Sequence, residues 1–270
     1  MPKFILKKID PAFQGKFKTK EEAQAATAEL LGRLYELLYR LYAGSERSLL
    51  VLLQGIDASG KDGTVRSLFS GANPQGIRVY SFKKPSQDEL FHDILWRCHK
   101  HCPERGYAAI FNRSYYEEVS TVKVHPEYLD AQKLPPEVRN DKRLFEKRFR
   151  QINDFERMLS ENGTVVLKFF LHISKAEQKE RLTERIDDPT KHWKFSAQDL
   201  VERKYWDAYM EAFQEMIDAT STEHSPWLVV PADRKWYRDY IVARTVVRAL
   251  EGLEMEFPKV TFNKKDKNFR

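Results

Sequence analysis

Apolar residues alternate along this chain between two rhythms. From Lys20 to Tyr42 the spacing is helical, with Leu30, Leu31, Leu34, Leu37, Leu38 and Leu41 three or four residues apart on one stripe. The next apolar run, Ser48–Gln54, is short and continuous, the mark of a strand buried on both faces. Ile77–Ser81, Tyr107–Phe111, Thr164–Ile173 and Trp227–Pro231 read as four more strands. Helical patterns occupy Gln87–His101, Glu137–Glu161, Lys175–Ile186, Ala197–Thr220 and Trp236–Leu253. Pro135-Pro136 suits a helix start, Phe145, Phe149, Ile152, Phe155 and Leu159 make that helix's buried stripe, and Gly163 ends it. The alternation predicts a three-layer α/β fold: a five-stranded parallel sheet with helices on both faces. Residues 1–45 are expected to form an N-terminal extension whose one long helix packs outside the core. Residues 46–257 would be the main domain, and 258–270 a charged, flexible tail.

Ligands in such sheets bind beyond the carboxyl ends of the strands. There the first strand leads into Gly55-Ile56-Asp57-Ala58-Ser59-Gly60-Lys61-Asp62-Gly63-Thr64. Gly55, four residues, then Gly60-Lys61 is the spacing of a phosphate-binding loop. Glycines let backbone N–H groups close around phosphate oxygens, the following helix presents its positive end, and Lys61 adds a full charge. The standard motif has a hydroxyl residue after the Lys as an Mg²⁺ ligand. Here Asp62 stands in that place, Thr64 is the nearest hydroxyl, and Asp57 adds a second carboxylate inside the loop. Carboxylates beside phosphates call for a cation between them, so Asp57 and Asp62 imply Mg²⁺.

Four further groups of residues bear on chemistry. At the end of the third strand, Asn112 stands where an Mg²⁺-holding Asp is usual, Arg113 is placed to grip a phosphate, and Glu117 or Glu118 would restore the missing acid. After the second strand, Lys83, Lys84 and Arg97 could bind a second phosphate substrate or form a solvated basic edge. Arg181, Arg185, Lys191, Lys194 and Arg203 surround a polar loop; as a helical lid over about 181–205 they would bring cations to a transferring phosphoryl group and exclude water. As an ordinary charged helix pair they would be matched by Glu180, Glu184, Asp187 and Asp188. Arg139, Arg143, Lys147 and Arg150 recur at helical spacing, a basic stripe that is either a solvated face or the wall of a groove for a long polyanion.

Bulk composition narrows the partners. The 270 residues carry 46 Lys plus Arg and 40 Asp plus Glu, a net charge of +6. That balance favours an anionic ligand without separating nucleotide from nucleic acid or membrane. No apolar run approaches the ~20 residues of a membrane span, and Phe4-Ile5-Leu6 is too short for a signal-peptide core, so a cytoplasmic protein with no membrane partner is expected. Cys98 and Cys102 lie one helical turn apart; with no second ligand pair they read as reduced helix cysteines and not as a zinc site.

Together, Gly55-x-Asp57-x-x-Gly60-Lys61-Asp62-Gly63, Leu95-Trp96-Arg97, Phe111-Asn112-Arg113-Ser114-x-Tyr116, Lys168–Ser174 and Trp193-Lys194 resemble the family-2 polyphosphate kinases, in the same order from about Phe17 to Phe257. The resemblance implies a P-loop kinase fold like that of thymidylate kinase, with a helical lid, and Mg²⁺-dependent transfer of a phosphoryl group between inorganic polyphosphate and a nucleotide. It implies Asp57, Lys61 and Arg113 as catalytic residues, joined by Glu117 as the candidate compensating acid. Gly55, Gly60, Asp62, Gly63, Thr64, Lys83, Lys84, Arg97 and Asn112 would bind nucleotide and phosphate. Arg181, Arg185, Lys194 and Arg203 would belong to the lid and polyphosphate path, and Asp57, Asp62 and Glu117 would hold the metal. Family members with Asn at position 112 resemble the subgroup accepting both nucleoside mono- and diphosphates. AMP and ADP are therefore the expected acceptors, with guanine nucleotides as further candidates. A homo-oligomer, dimer or tetramer, is expected, and no nucleic acid. The rival readings are an ATP-dependent nucleoside monophosphate kinase, against which Asp57 and Asp62 count, and a nucleic-acid-binding module, for which the net charge is low.

Overall fold

In a computed structural model, which describes residues 5–259 and 261, five parallel strands form one sheet. They are β1 (Ser48–Gln54), β2 (Ile77–Ser81), β3 (Ala108–Asn112), β4 (Thr164–His172) and β5 (Trp227–Pro231), in the order β2-β3-β1-β4-β5. Every residue of β1 is buried, as its unbroken apolar run requires of a central strand. The chain fills one side of β1 with β3 and β2 and the other with β4 and β5, so the direction of winding switches at β1. The longer helices are α1 (Lys20–Gly44), α2 (Lys61–Phe69), α3 (Leu144–Glu161), α4 (Lys175–Asp187), α5 (Trp206–Thr220) and α6 (Lys235–Glu251). Most of the tail expected to be flexible from Pro258 lies outside the described residues. Among the described residues no helix is long and apolar enough to cross a membrane.

Helix α1 does not pack outside the core. Leu34, Leu37, Leu38 and Leu41 are buried in the same apolar cluster as the strands, with α1 lying along α6. Thr19 caps the helix by accepting the Glu22 N–H (3.2 Å), and Ser45 ends it in a left-handed turn.

Three expected helices are interrupted, the first two by an aspartate that competes locally for the backbone. Gln87–His101 is two single turns, Gln87–Leu90 and Trp96–His99, because Asp93 Oδ1 accepts the N–H groups of Leu95 and Trp96 (2.9 and 3.1 Å). Glu137–Glu161 breaks after Arg139, where Asp141 Oδ1 accepts the Arg143 N–H (2.8 Å). Ala197–Thr220 narrows to a 3₁₀ turn at Arg203–Tyr205, beside Glu202, which is held by His125 Nε2 and by the Tyr209 hydroxyl (both 2.8 Å). The second break dissolves the basic stripe. Arg139 turns to Asp130 (2.6 Å), Lys147 pairs with Asp141, and the neighbouring Arg148 is buried against the Glu118 carbonyl (2.8 Å).

Because α1 contributes to the one core, Leu34→Ala should lower the unfolding free energy by about 2–5 kcal/mol, the usual cost of a buried Leu→Ala cavity. Urea unfolding monitored by circular dichroism checks this; a change under 1 kcal/mol would mean that α1 is a detachable appendage.

Candidate active site

The loop Gly55–Gly60 leaves the end of β1 and enters α2. Two of its residues need glycine: Gly55 has φ +145° and a Cβ there would stand 2.7 Å from the Leu171 carbonyl, while Gly60 has φ +102° and a Cβ would collide with the Arg238 guanidinium. All six loop carbonyls have donors. Lys61 Nζ takes those of Gly55 (2.6 Å) and Ile56 (3.2 Å), Gln178 Nε2 takes Asp57 (3.1 Å), and Arg181 Nη1 takes Ala58 (3.0 Å) and Ser59 (2.9 Å). The Thr64 N–H takes Gly60 (2.9 Å). With its acceptors engaged, the loop offers an incoming ligand mainly N–H groups, which is the requirement for binding an anion.

Parallel pairing sets Leu53 of β1 opposite Asn112 of β3, so the segment after β3 emerges beside the loop. Arg113 there has a left-handed backbone, φ +63°, and its N–H reaches back to the Leu53 carbonyl (3.1 Å). The two segments interlock through side chains: the Asn112 amide donates to Asp62, and the Arg113 guanidinium to Asp57. Behind Arg113 sits Glu117, 3.9 Å from its guanidinium, which keeps the Arg113 charge firmly in place by raising its pKa. Glu117 also accepts the Thr121 hydroxyl (2.7 Å), and the Gln54 amide is oriented to donate to it (3.1 Å).

A cavity of about 620 Å³ opens in front of this arrangement. Asp57, Gly60, Lys61, Asp62, Gly63, Lys83, Lys84, Asn112, Arg113, Arg181, Arg185 and Lys194 all line it, so the structure brings these expected residues together. Six others stand elsewhere. Gly55 shapes the root of the loop. The Thr64 hydroxyl turns back onto the Gly60 carbonyl (3.1 Å) inside α2, so it does not stand in for the missing hydroxyl ligand. Glu117 backs Arg113 and does not reach the cavity surface. Glu118, buried against Arg148 and Gln132 (2.7 Å), is farther removed. Arg97 holds the Lys83 carbonyl (2.8 Å) and lies over the Phe82 ring, supporting the strand end. Arg203 is tied to the Lys175 carbonyl and Gln178 (2.8 and 2.9 Å) at the root of α4.

Arg181 faces the cavity yet is no mobile lid residue. It is buried, its Nη2 also takes the Ala232 and Asp233 carbonyls (2.6 and 3.0 Å), and its Nε takes Glu177 (2.7 Å). It acts as a clamp beneath the loop.

Beyond Arg181 runs the segment 185–205, the rest of the expected lid. Arg185 pairs there with Asp199 (2.7 Å), and Trp193 is 78% exposed at the cavity edge. Sequence reasoning missed four lining residues: Arg66, Asp199, Lys235 and Arg238. Arg66 was within reach of it, one turn beyond Asp62 on α2. Arg238 was not: it lies on the last helix, buried against Asp239 (2.7 Å) and the glycines of the loop.

Basic side chains outnumber acidic ones in the lining eleven to four. The crowding acts on the loop lysine: burial, and then the neighbouring Arg113 charge, push Lys61 down to about 8 from its ordinary 10.5. Burial and the nearby Asp57 charge raise the Asp199 carboxyl. Such a site can hold and align polyanions. Its hard oxygen donors, Asp57 and Asp62, suit a cation such as Mg²⁺ that is held by one or two carboxylates and completed by phosphate and water. Among the described residues no group of three His, Cys, Asp or Glu side chains forms a metal cage.

Residues 17–258 match the sequence model of the family described as Polyphosphate kinase 2. The chain is 47% identical over 261 residues to the AMP/ADP-polyphosphate phosphotransferase of Meiothermus ruber, covering 95% of this chain and 92% of that relative. It is 46% identical over 254 residues to the ADP-polyphosphate phosphotransferase of Rhodopseudomonas palustris, covering 94% and 86%. The fold is similar to the crystal structure of Polyphosphate Kinase 2 from Arthrobacter aurescens TC1, with a TM-score of 0.90 and 39% identity over 98% of this chain and 92% of that one.

The depressed Lys61 pKa carries a stability signature. Above pH 8 the folded protein releases the Lys61 proton, whereas the unfolded chain keeps it up to about 10.5. The unfolded state then binds more protons, so the Lys61 contribution to stability rises with pH across that window. Relative to Lys61→Met, the wild type should gain about 1–3 kcal/mol of unfolding free energy between pH 8 and 10.5. Urea titrations of both proteins at several pH values measure the difference; a flat difference would place the Lys61 pKa near its ordinary value.

Proposed function

The chain belongs to the polyphosphate kinase 2 family, and from that membership we propose that it transfers phosphoryl groups reversibly between inorganic polyphosphate and AMP or ADP, giving ADP or ATP. The observation carrying this reading is the pairing of a donor-only glycine loop with a cavity whose lining is basic by eleven to four, wide enough for two phosphate chains to meet. A single nucleotide would need fewer cations. Acceptance of both AMP and ADP is supported by the similarity to the Meiothermus ruber enzyme and by Asn112, which leaves the strand end uncharged.

The reaction asks little covalent chemistry of the protein. An acceptor phosphate oxygen attacks the terminal phosphorus of polyphosphate; one phosphoanhydride bond forms, another breaks, and the shortened polyphosphate leaves with the bond electrons. No side-chain nucleophile is required. Loop N–H groups, Lys61 and Arg113 hold the donor and acceptor in line and meet the charge spread over the transferring oxygens. Arg185, Lys191 and Lys194, on the lid segment, bring further cations and shield the site from water. Mg²⁺, when bound, would screen phosphate from phosphate. Asp57 and Asp62 are the residues proposed to hold it, in place of the trio with Glu117 that the sequence suggested, since Glu117 is committed to Arg113, Thr121 and Gln54.

The test is a nucleotide-product assay with polyphosphate as sole donor, run on AMP and ADP separately. ADP should accumulate from AMP and ATP from ADP without added ATP, and Lys61→Ala should lower kcat by about 10²–10³-fold, the usual loss for one preorganised donor. Product only when ATP is supplied would assign the site to an ATP-dependent nucleotide kinase instead.

A further inference from the structure

Arg113 touches the cavity in a conformation that a residue with a side chain does not choose. A left-handed φ of +63° costs roughly 1–2 kcal/mol, so something nearby must hold it. Its own N–H bond to Leu53 fixes one end. The other end leads through Ser114, whose hydroxyl accepts the Tyr116 N–H (3.3 Å), into Tyr115 and Tyr116, which are both fully buried.

Those two tyrosines meet one carboxylate. Glu156, on α3, accepts the Tyr115 hydroxyl (2.8 Å) and the Tyr116 hydroxyl (2.7 Å) on Oε1. Its Oε2 accepts Lys168 Nζ of β4 (2.6 Å) and the Ser225 hydroxyl before β5 (2.7 Å). Lys168 Nζ donates onward to the Tyr116 hydroxyl (3.0 Å) and the Thr220 carbonyl (2.6 Å). The side chains of Lys168 and Glu156 are both 0% exposed. A dry ion pair of this kind adds little net stability over apolar residues of the same shape, because desolvation offsets the attraction. What it supplies is geometry: four donors on one carboxylate permit one arrangement of the groups that carry them.

We infer that Glu156 is a positioning residue for phosphoryl transfer: with Lys168 it locks Tyr115 and Tyr116, and through them holds the Asn112–Glu117 turn so that the Arg113 guanidinium stays aimed at the reacting phosphates. The inference rests on the transfer function proposed above. It assigns a task to a buried pair whose own net contribution to stability is small.

Glu156→Gln removes the charge but risks the fold, since it strands Lys168. The paired change Tyr115→Phe with Tyr116→Phe keeps the packing and removes two of the four donors to Glu156. In that variant kcat should fall on the order of tenfold or more, as expected when a reacting group is misplaced by a fraction of an ångström, with KM for polyphosphate and AMP within about twofold. Leu34→Ala, which lowers stability in α1, should leave kcat unchanged. In an Arg113→Ala background the tyrosine changes should cause no further loss, because they act through Arg113. Amide hydrogen exchange over residues 112–118 should accelerate at least tenfold in the tyrosine variant relative to wild type. Unchanged kcat, a loss that multiplies with Arg113→Ala, or unchanged exchange would each overturn the assignment. The exchange readout needs no turnover, so a wild-type protein inactive with polyphosphate would refute the transfer reading while this one was still decided.

Discussion

Six carbonyl oxygens crowd the turn between β1 and α2, and the site depends on all of them being occupied from within the protein. A carbonyl left facing the cavity would repel phosphate and need water to satisfy it. Lys61 satisfies two from the cavity side, and Arg181 satisfies two from beneath, while Gln178 and the first turn of α2 take the rest. The positive-φ glycines make this geometry reachable, since they let successive peptide units face opposite ways. Arg181 thereby links distant parts of the chain: its guanidinium also holds the Ala232 and Asp233 carbonyls after β5, so the loop is braced against the far end of the fold.

Register provides the second half of the site. Pairing Leu53 with Asn112 makes the two strand ends finish level, and only then can Asn112 meet Asp62 and Arg113 meet Asp57. A slip of one residue would turn Asn112 and its neighbours to the opposite face of the sheet. Both β1 and β3 are buried throughout, so neither has a polar face whose misplacement would itself correct a slip, and the register is carried by pairing on both sides of β1.

What the sequence made legible follows from the same physics. β1, β2 and β5 were read to the residue; for β1 and β5, short apolar runs between polar segments admit few alternatives. The glycine loop and Asn112-Arg113 were legible because their residue types are chosen by local backbone needs. The helix breaks were not, since Asp93 and Asp141 end helices by accepting neighbouring N–H groups, and an Asp in a helical pattern looks the same whether it faces solvent or caps. Arg181 and Arg185, four residues apart on one helical face, read alike in the sequence. Only the tertiary fold shows that one of the pair points at loop carbonyls and the other at Asp199. Arg238 gave no signal at all, for its task comes from the glycines it packs against.

The balance of charge explains why an amide serves at position 112. Each of the cavity's four acids has a partner close by: Arg113 for Asp57, Asn112 for Asp62, Arg185 for Asp199, and Lys191 and Lys235 for Glu184. Four cations thus serve three of the acids, and each pair draws a base out of the surplus. The remaining acid meets a neutral partner: the Asn112 amide donates to Asp62. An aspartate in its place would set two carboxylates at hydrogen-bond distance, and one would have to take up a proton or a second cation. With asparagine, Asp62 meets an amide and no second carboxylate, and the lysines and arginines not drawn into these pairs remain for an anionic ligand. The cavity is therefore poised for polyanions through the fixed arrangement of its acids as much as through its surplus of bases.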